Sequence, residues 1–344
     1  MIRTFSERVA DVRRLVDAAR DVSRDPGIVD ALVETTGLSR QGVELALAEH
    51  LETSPEEADL CRLVENAGDA ERVHVVLSST VFVGALRALA VARAAAVHVT
   101  VTASRREPVF ARALVERAAD PGLSLDEGLP VESVHCGEIH VYGKDETIEL
   151  VRARANAGVR VLGHGSGLGV AVVTRSTGLA DAARAIARDV APFDQMGCLS
   201  PRVVVVLGER AGEELSRELD RALGAIEERV PRGALDPDES AAAARYQSTA
   251  AFAGRLWRGK THLVALAPEG APLSIPPPGR HLHVGVAESI DAVRALLAPI
   301  AKFVVAVGSD APPLVGDLVG HRVRVSPLGR MQRPPLDGPG DLRG

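Results

Sequence analysis

The sequence predicts an α/β fold: a doubly wound, Rossmann-like parallel sheet followed by a smaller α/β half. Two observations carry this prediction. From residue 72 onward, short valine-rich runs alternate with amphipathic helical stretches at the spacing of βαβ units. The runs end in small polar or glycine turns such as Ser78-Ser79-Thr80 and Gly143-Lys144-Asp145, as strands feeding crossover helices do. The size agrees, since 344 residues at 46% hydrophobic content can bury two cores.

In chain order, Thr4 to about Ala67 reads as helices. Val9, Val12, Leu15, Val16 and Ala19 recur at helical steps, and Ser39 is placed to cap a helix running through Leu51. Strand-like runs follow at Val73–Leu77, Val97–Val101, Glu138–Tyr142, Val159–Leu162 and Gly169–Val173, with helices over about 81–95, 109–119, 145–157 and 179–190. Beyond them, Val203–Leu207, His262–Ala267, His281–Val286 and Phe303–Gly308 are further strands. Helices are expected near 213–229, 239–253 and 289–297, and Ile275-Pro276-Pro277-Pro278-Gly279 is a rigid connector. The expected division is 1–192, 193–325 and a proline-rich tail, 326–344, suited to crossing to a partner in a homo-oligomer. Ligands belong at the strand carboxyl ends.

Composition narrows the function classes. Lys plus Arg number 40 against 46 Asp plus Glu, a net charge of -6 with no basic block, which argues against nucleic acid. Cys61, Cys136 and Cys198 are too few and too scattered for a disulfide framework or a zinc cluster, so a reducing cytoplasm is the expected compartment. The chain opens on a charged segment with Glu7, Arg8 and Asp11, and Val81–Val101 is interrupted by Arg87, Arg93 and His98. Neither a signal peptide nor a membrane span is expected. The pairs His281/His283 and His135/His140 lack the further ligands a metal needs, and no metal is expected.

The chemistry centres on Asp194-Gln195-Met196-Gly197-Cys198-Leu199-Ser200-Pro201, just before the valine run Val203–Leu207. A thiolate attacks a thioester or aldehyde carbon well and leaves again. No histidine is adjacent, so activation falls to backbone amides, a helix end or a cofactor. The residues alone leave two readings open, a nucleophile and an inert buried thiol. Gly143-Lys144-Asp145-Glu146-Thr147 lies at a strand-to-helix junction, where free amides favour a phosphate, although every βαβ unit needs such a turn. Gly163-His164-Gly165-Ser166-Gly167-Leu168-Gly169 runs into another strand rather than a helix, and reads as a close-approach loop.

Asp-Gln-x-x-Cys-x-Ser-Pro at 194–201 resembles the active-site segment of the acyl-CoA reductases of bacterial bioluminescence, within the aldehyde dehydrogenase superfamily. The Leu38-Ser39 helix start, Gly84–Leu89, Ser104-Arg105-Arg106-Glu107-Pro108, Tyr142–Thr147 and the terminal stretch from Gly329-Arg330-Met331 to Asp337-Gly338 fall in the family's order. The resemblance spans about residue 30 to the end and implies an aldehyde-dehydrogenase-like fold, a dinucleotide-binding domain beside a catalytic one. It further implies that Cys198 takes an acyl group from acyl-CoA or an acyl carrier and that a nicotinamide hydride reduces it to the aldehyde. The Cys198 amide and Thr80 are implied as oxyanion donors. Gly143, Lys144, Asp145, Glu146 and Thr147 are implied as the pyrophosphate turn. Ser104 and Arg105 are implied beside the adenosine ribose, where Arg105 favours NADPH over NADH.

Three positions depart from the superfamily pattern. Thr102-Ala103 replaces a Lys-Pro that contacts the cofactor, Thr80 replaces an oxyanion-hole Asn, and Gly163-His164-Gly165-Ser166 replaces the Glu-Leu-Gly-Gly that carries a hydrolytic base. Loss of that base suits reduction rather than hydrolysis. An acyl-phosphate reductase of the glutamyl-phosphate type, and a weakened relative that binds thioesters without turnover, are the alternatives.

Overall fold

The protein is described from a computed structural model covering residues 3–79, 81–175, 178–208, 210–268 and 270–343. The chain forms two compact units, one up to Ser166 with residues 335–340, the other Gly167–Pro334 with 341–343.

The first unit begins with α1 (Phe5–Val22), α2 (Pro26–Thr36), α3 (Arg40–Leu45) and α4 (Glu57–Asn66). Thr4 and Glu7 close a capping box on α1, and the Ser39 hydroxyl accepts from Gly42 N at 3.1 Å, as its sequence position predicts. There follow β1 (Ala70–Val76), α5 (Gly84–Ala95), β2 (Ala96–Thr102), α6 (Val109–Ala118), β3 (Leu123–Leu125), β4 (Glu138–Tyr142), α7 (Asp145–Arg154) and β5 (Arg160–His164). The five strands are parallel in the order β3-β2-β1-β4-β5. The order reverses between β1 and β4, which marks the crevice at their carboxyl ends as the ligand position of an open α/β sheet. The helical layer packs through Val9, Val12, Val16, Leu60, Leu63 and Ala90, and Leu336 of the tail joins it.

The second unit contains β6 (Leu168–Val173), α8 (Leu179–Val190), β7 (Pro201–Leu207), α9 (Ala211–Arg229), α10 (Pro237–Ala253), β8 (Arg255–Arg258), β9 (Leu263–Leu266), β10 (His281–Ala287), α11 (Ile290–Leu297), β11 (Val304–Ser309), α12 (Pro312–Val319) and β12 (Arg324–Pro327). Its sheet runs β12-β11-β6-β7-β10-β9-β8 and is parallel except for the β8–β9 pair. Along β7, Val204 and Val206 pack with α8 and α9 on one face, while Val203 and Val205 pack with α11 and α12 on the other. This double burial explains an uninterrupted valine run at the centre of the sheet.

Two expectations need adjustment. The division falls at 166/167 rather than 192, because β6 pairs with β7 and β11 and so carries α8 into the second unit. The half expected to be smaller therefore holds the wider sheet, seven strands against five. The tail packs on its own chain: Gly329 N and Met331 N donate to the Asp189 carboxylate at 2.6 and 3.0 Å, and Arg87 donates to the carbonyls of Pro335 and Gly338 at 2.9 and 2.7 Å. No described helix is long and apolar enough to cross a membrane.

Candidate active site

In the second unit, Pro192–Gln195 forms a 3-10 turn in which Phe193, Asp194 and Gln195 all have left-handed backbones, with φ of 53°, 51° and 68°. Each such non-glycine residue costs about 1–2 kcal/mol, so neighbouring contacts must enforce the conformation. Asp194 accepts from Arg280 Nη2 at 2.7 Å and from Gly233 N at 2.9 Å, while its carbonyl accepts from Gly279 N at 3.1 Å. Arg280 also reaches Glu227 at 2.9 Å and the Val230 carbonyl at 2.7 Å, and is only 1% exposed. Gln195 replaces missing rungs between β7 and β10. Its Nε2 donates to the carbonyls of Pro201 and His281 at 2.7 and 2.8 Å, and its Oε1 accepts from His281 N at 2.7 Å.

Cys198 sits half-buried in the turn that follows. Ser200 N donates to the Gly197 carbonyl at 3.0 Å, and Gly169 N of β6 donates to the Ser200 carbonyl at 2.8 Å. A Cβ on Gly169 would lie 2.4 Å from the Leu199 carbonyl oxygen, so only glycine lets β6 approach the turn this closely. The Ser200 hydroxyl donates to the Asp189 carbonyl at 2.9 Å, tying the turn to α8. Burial, and secondly the Asp341 carboxylate, push the Cys198 thiol up to about 11; Arg343 and the amides of Cys198 and Leu199 act the other way. At neutral pH the resting sulfur is a protonated thiol. The Cys198 and Leu199 amides favour the anion that forms when it attacks or leaves.

In the first unit, the sequence-predicted cofactor residues lie at strand carboxyl ends. Ser104 and Arg105 follow β2, and Gly143 to Thr147 follow β4 and open α7. Arg105 and Lys144 are exposed, and no carboxylate pairs with either among the described residues. No described side chain caps α7. A Cβ on Gly143 would meet nothing nearer than 3.8 Å and the residue has no positive φ, so the protein itself does not demand glycine there. Among the described residues the buried Tyr142 hydroxyl beside it has no hydrogen-bond partner, and its ring stacks on His164 at 4.4 Å. An open glycine, an uncapped helix start, an orphaned hydroxyl and free cations fit a phosphate-bearing dinucleotide. Asp145 fits less well, because it accepts from Ser166 N at 2.7 Å and its charge opposes a pyrophosphate.

The departures also have structural settings. The Thr102 hydroxyl donates to the Asp126 carbonyl at 2.8 Å and lies 3.3 Å from His74 Nε2, so it links the sheet strands. Side chains at Gly163 and Gly165 would collide with Ile148 and Asp145 of α7, at 2.6 and 2.2 Å, which leaves no room for a hydrolytic carboxylate at those two positions. Thr80 lies outside the described residues. His283 Nδ1 meets the Tyr246 hydroxyl at 2.9 Å, His140 meets Glu138 at 2.9 Å, and no metal-sized group of His, Cys, Asp and Glu occurs among the described residues. Sequence reasoning missed Asp189, whose carbonyl accepts from the Ser200 hydroxyl while its carboxylate accepts from Gly329 N and Met331 N: nothing in a proline-rich tail signals that it packs on the helix that also ties down the cysteine turn.

The sequence profile of the family described as acyl-CoA reductase (LuxC) matches residues 131–335. No curated protein matches. Among solved structures, the chain resembles an NADP-dependent glyceraldehyde-3-phosphate dehydrogenase from Bacillus halodurans C-125 complexed with NADP (TM-score 0.67, 14% identity, 94% of this chain and 79% of that one). It likewise resembles an oxidoreductase from Marinobacter aquaeolei (0.76, 12%, 97% and 80%) and an NAD-dependent benzaldehyde dehydrogenase from Corynebacterium glutamicum (0.72, 15%, 94% and 81%). At these identities the likeness is one of fold, that of the aldehyde dehydrogenases.

Proposed function

The chain belongs to the acyl-CoA reductase (LuxC) family of NAD(P)-dependent oxidoreductases, and from that premise we propose that it reduces an acyl thioester, acyl-CoA or acyl-carrier protein, to the aldehyde through an S-acyl intermediate on Cys198. The observation that carries this reading is the built turn around Cys198, reached through three successive left-handed residues held in place by Asp194, Gln195 and Arg280.

In this reading the Cys198 thiol loses its proton as it attacks the thioester carbonyl. The carbon–sulfur bond to the carrier breaks, the carrier leaves as a thiol carrying that proton, and the acyl group stays on Cys198. The Cys198 amide serves the developing oxyanion, with Thr80 as the second donor. Ser104, Arg105, Gly143, Lys144 and Thr147 hold the cofactor, and Arg105 favours the 2′-phosphate of NADPH. When bound, that cofactor supplies the hydride that takes the acyl carbon to the aldehyde level. Cys198 then leaves as a thiolate beside the amides that stabilise it.

A second reading, thioester binding without turnover, is favoured by Thr102, whose hydroxyl serves the sheet where the superfamily has a cofactor-binding lysine. Purified protein given long-chain acyl-CoA and NADPH separates the two. Aldehyde formed in step with NADPH loss, and absent in Cys198→Ala, supports reduction. Acylated protein with no NADPH loss supports binding alone.

A further inference from the structure

The segment after β12 is joined to the cysteine turn through one residue and one socket. Asp189, in the last turn of α8, is 1% exposed and is bonded at both its carboxylate and its carbonyl. The carboxylate accepts from Gly329 N at 2.6 Å and from Met331 N at 3.0 Å. The carbonyl is one of the four that an α-helix leaves without an internal partner at its end. It accepts from Gln332 Nε2 at 3.2 Å and from the hydroxyl of Ser200, two residues past Cys198, at 2.9 Å. The socket lies on the neighbouring strands β6 and β11. A Cβ on Gly308 would lie 2.6 Å from Met331 Sδ, and one on Gly169 would lie 2.7 Å from Met331 Cε and 2.4 Å from the Leu199 carbonyl oxygen. Met331, 2% exposed, thus fills the space left by two absent side chains, at the point where β6 meets the turn.

We propose that Asp189 is a positioning residue that joins the tail to the cysteine turn, so that seating residues 329–332 holds the turn that presents Cys198. It acts through Ser200, and its importance for the reaction rests on reading Cys198 as the nucleophile. A carboxylate buried this deeply is costly unless it is hydrogen-bonded. The tail supplies those bonds: burial pushes the Asp189 carboxyl up to about 7, while the amides of Gly329 and Met331 draw it down. When the tail lifts, the carboxylate loses these donors, the carbonyl it shares with the turn loses Gln332, and Gly169 loses the methionine packed on it. The ties on the turn therefore loosen together with the tail.

The test combines amide hydrogen exchange, read peptide by peptide in the full-length protein, with the rate of Cys198 alkylation by iodoacetamide at one fixed pH. Asp189→Asn turns an acceptor facing the tail into a donor. It speeds exchange about tenfold both in the peptide holding Gly329 and Met331 and in the peptide holding Ser200. It also slows Cys198 alkylation several-fold, because the Cys198 and Leu199 amides that favour the thiolate are no longer held. Ser200→Ala cuts the turn's tie alone, so the turn exchanges faster and alkylation slows while the tail stays protected. Added to Ser200→Ala, Asp189→Asn frees the tail but changes the turn less than it does by itself. Turn exchange and alkylation that stay at wild-type values in Asp189→Asn overturn the proposal, whatever the tail does. So does a uniform rise in exchange across the second unit, which marks general support of the fold. Should Asp189→Asn fail to fold, Met331→Ala decides: a turn it leaves unchanged, or loosens equally with and without Ser200→Ala, overturns the proposal. Exchange and alkylation use no acyl donor, so a protein never acylated at Cys198 disproves the acyl-transfer reading and leaves these results standing.

Discussion

The turn that presents Cys198 and the turn that follows β4 are both short links beside parallel strands, yet they are held in opposite ways. The first is over-determined: three successive left-handed residues, a buried arginine between two carboxylates and a glutamine filling in for strand rungs leave it one conformation. The second is open, with exposed Lys144, Glu146 and Thr147, no side-chain cap and a glycine that nothing in the protein requires. A nucleophile must meet its target within a fraction of an ångström, and rigid surroundings supply that. A phosphate-binding turn needs only free amides and space, which a tightly packed turn would fill.

If the contrast is real, substitutions in the two turns must differ in kind. Arg280→Met leaves Asp194 and Glu227 buried without their cation. It lowers unfolding free energy by about 3–5 kcal/mol and slows Cys198 modification; an unchanged denaturation midpoint would erase the contrast. Gln195→Leu strips partners from the carbonyls of Pro201 and His281 and from His281 N, and costs about 2–3 kcal/mol by the same measurement.

Acidification acts on the second unit as well. Burial pushes His281 and His283 down to about 4, from an ordinary value of 6.5. Between those values the unfolded chain binds the extra protons, so their stabilising share is complete above the upper value and is lost as pH falls toward the lower one. Burial raises Asp189 to about 7, which acts in the opposite sense over that range. His281→Phe with His283→Phe should therefore flatten or reverse the acid loss seen in thermal melts. At the small end, Gly143→Ala changes stability by less than about 0.5 kcal/mol but weakens NADPH binding several-fold in a fluorescence titration. Arg105→Ser narrows the preference for NADPH over NADH with no change in melting temperature. A destabilised Gly143→Ala protein would mean that this turn, too, is structurally fixed.

The alternation of strands and helices was legible because burial writes it into the chain. Val203–Leu207 is apolar on both faces since helices cover both, and Ser39 caps where its position says. The placement of β6 was not legible. A strand's partner is set by pairing across the sheet, and nothing local in Leu168–Val173 distinguishes the first sheet's edge from the second sheet's centre. In the candidate site, Cys198 and its Asp-Gln prefix stand out as residue types, but the work that prefix does was hidden. Asp194 and Gln195 act on Arg280 and His281, some 86 residues away. The prolines of the tail signal a chain without helix, but not where it lies: Met331, Leu336 and Asp341 are each buried on their own chain.

The central claim is that Cys198 accepts an acyl group from a thioester, and the intact mass of the protein after mixing with acyl-CoA, without cofactor, tests it most directly. The account predicts a gain equal to one acyl group, mapped to the Cys198 peptide, absent in Cys198→Ala and discharged when NADPH is added. A protein of unchanged mass, or an acyl group that maps to Cys61 or Cys136 and persists in Cys198→Ala, would contradict it.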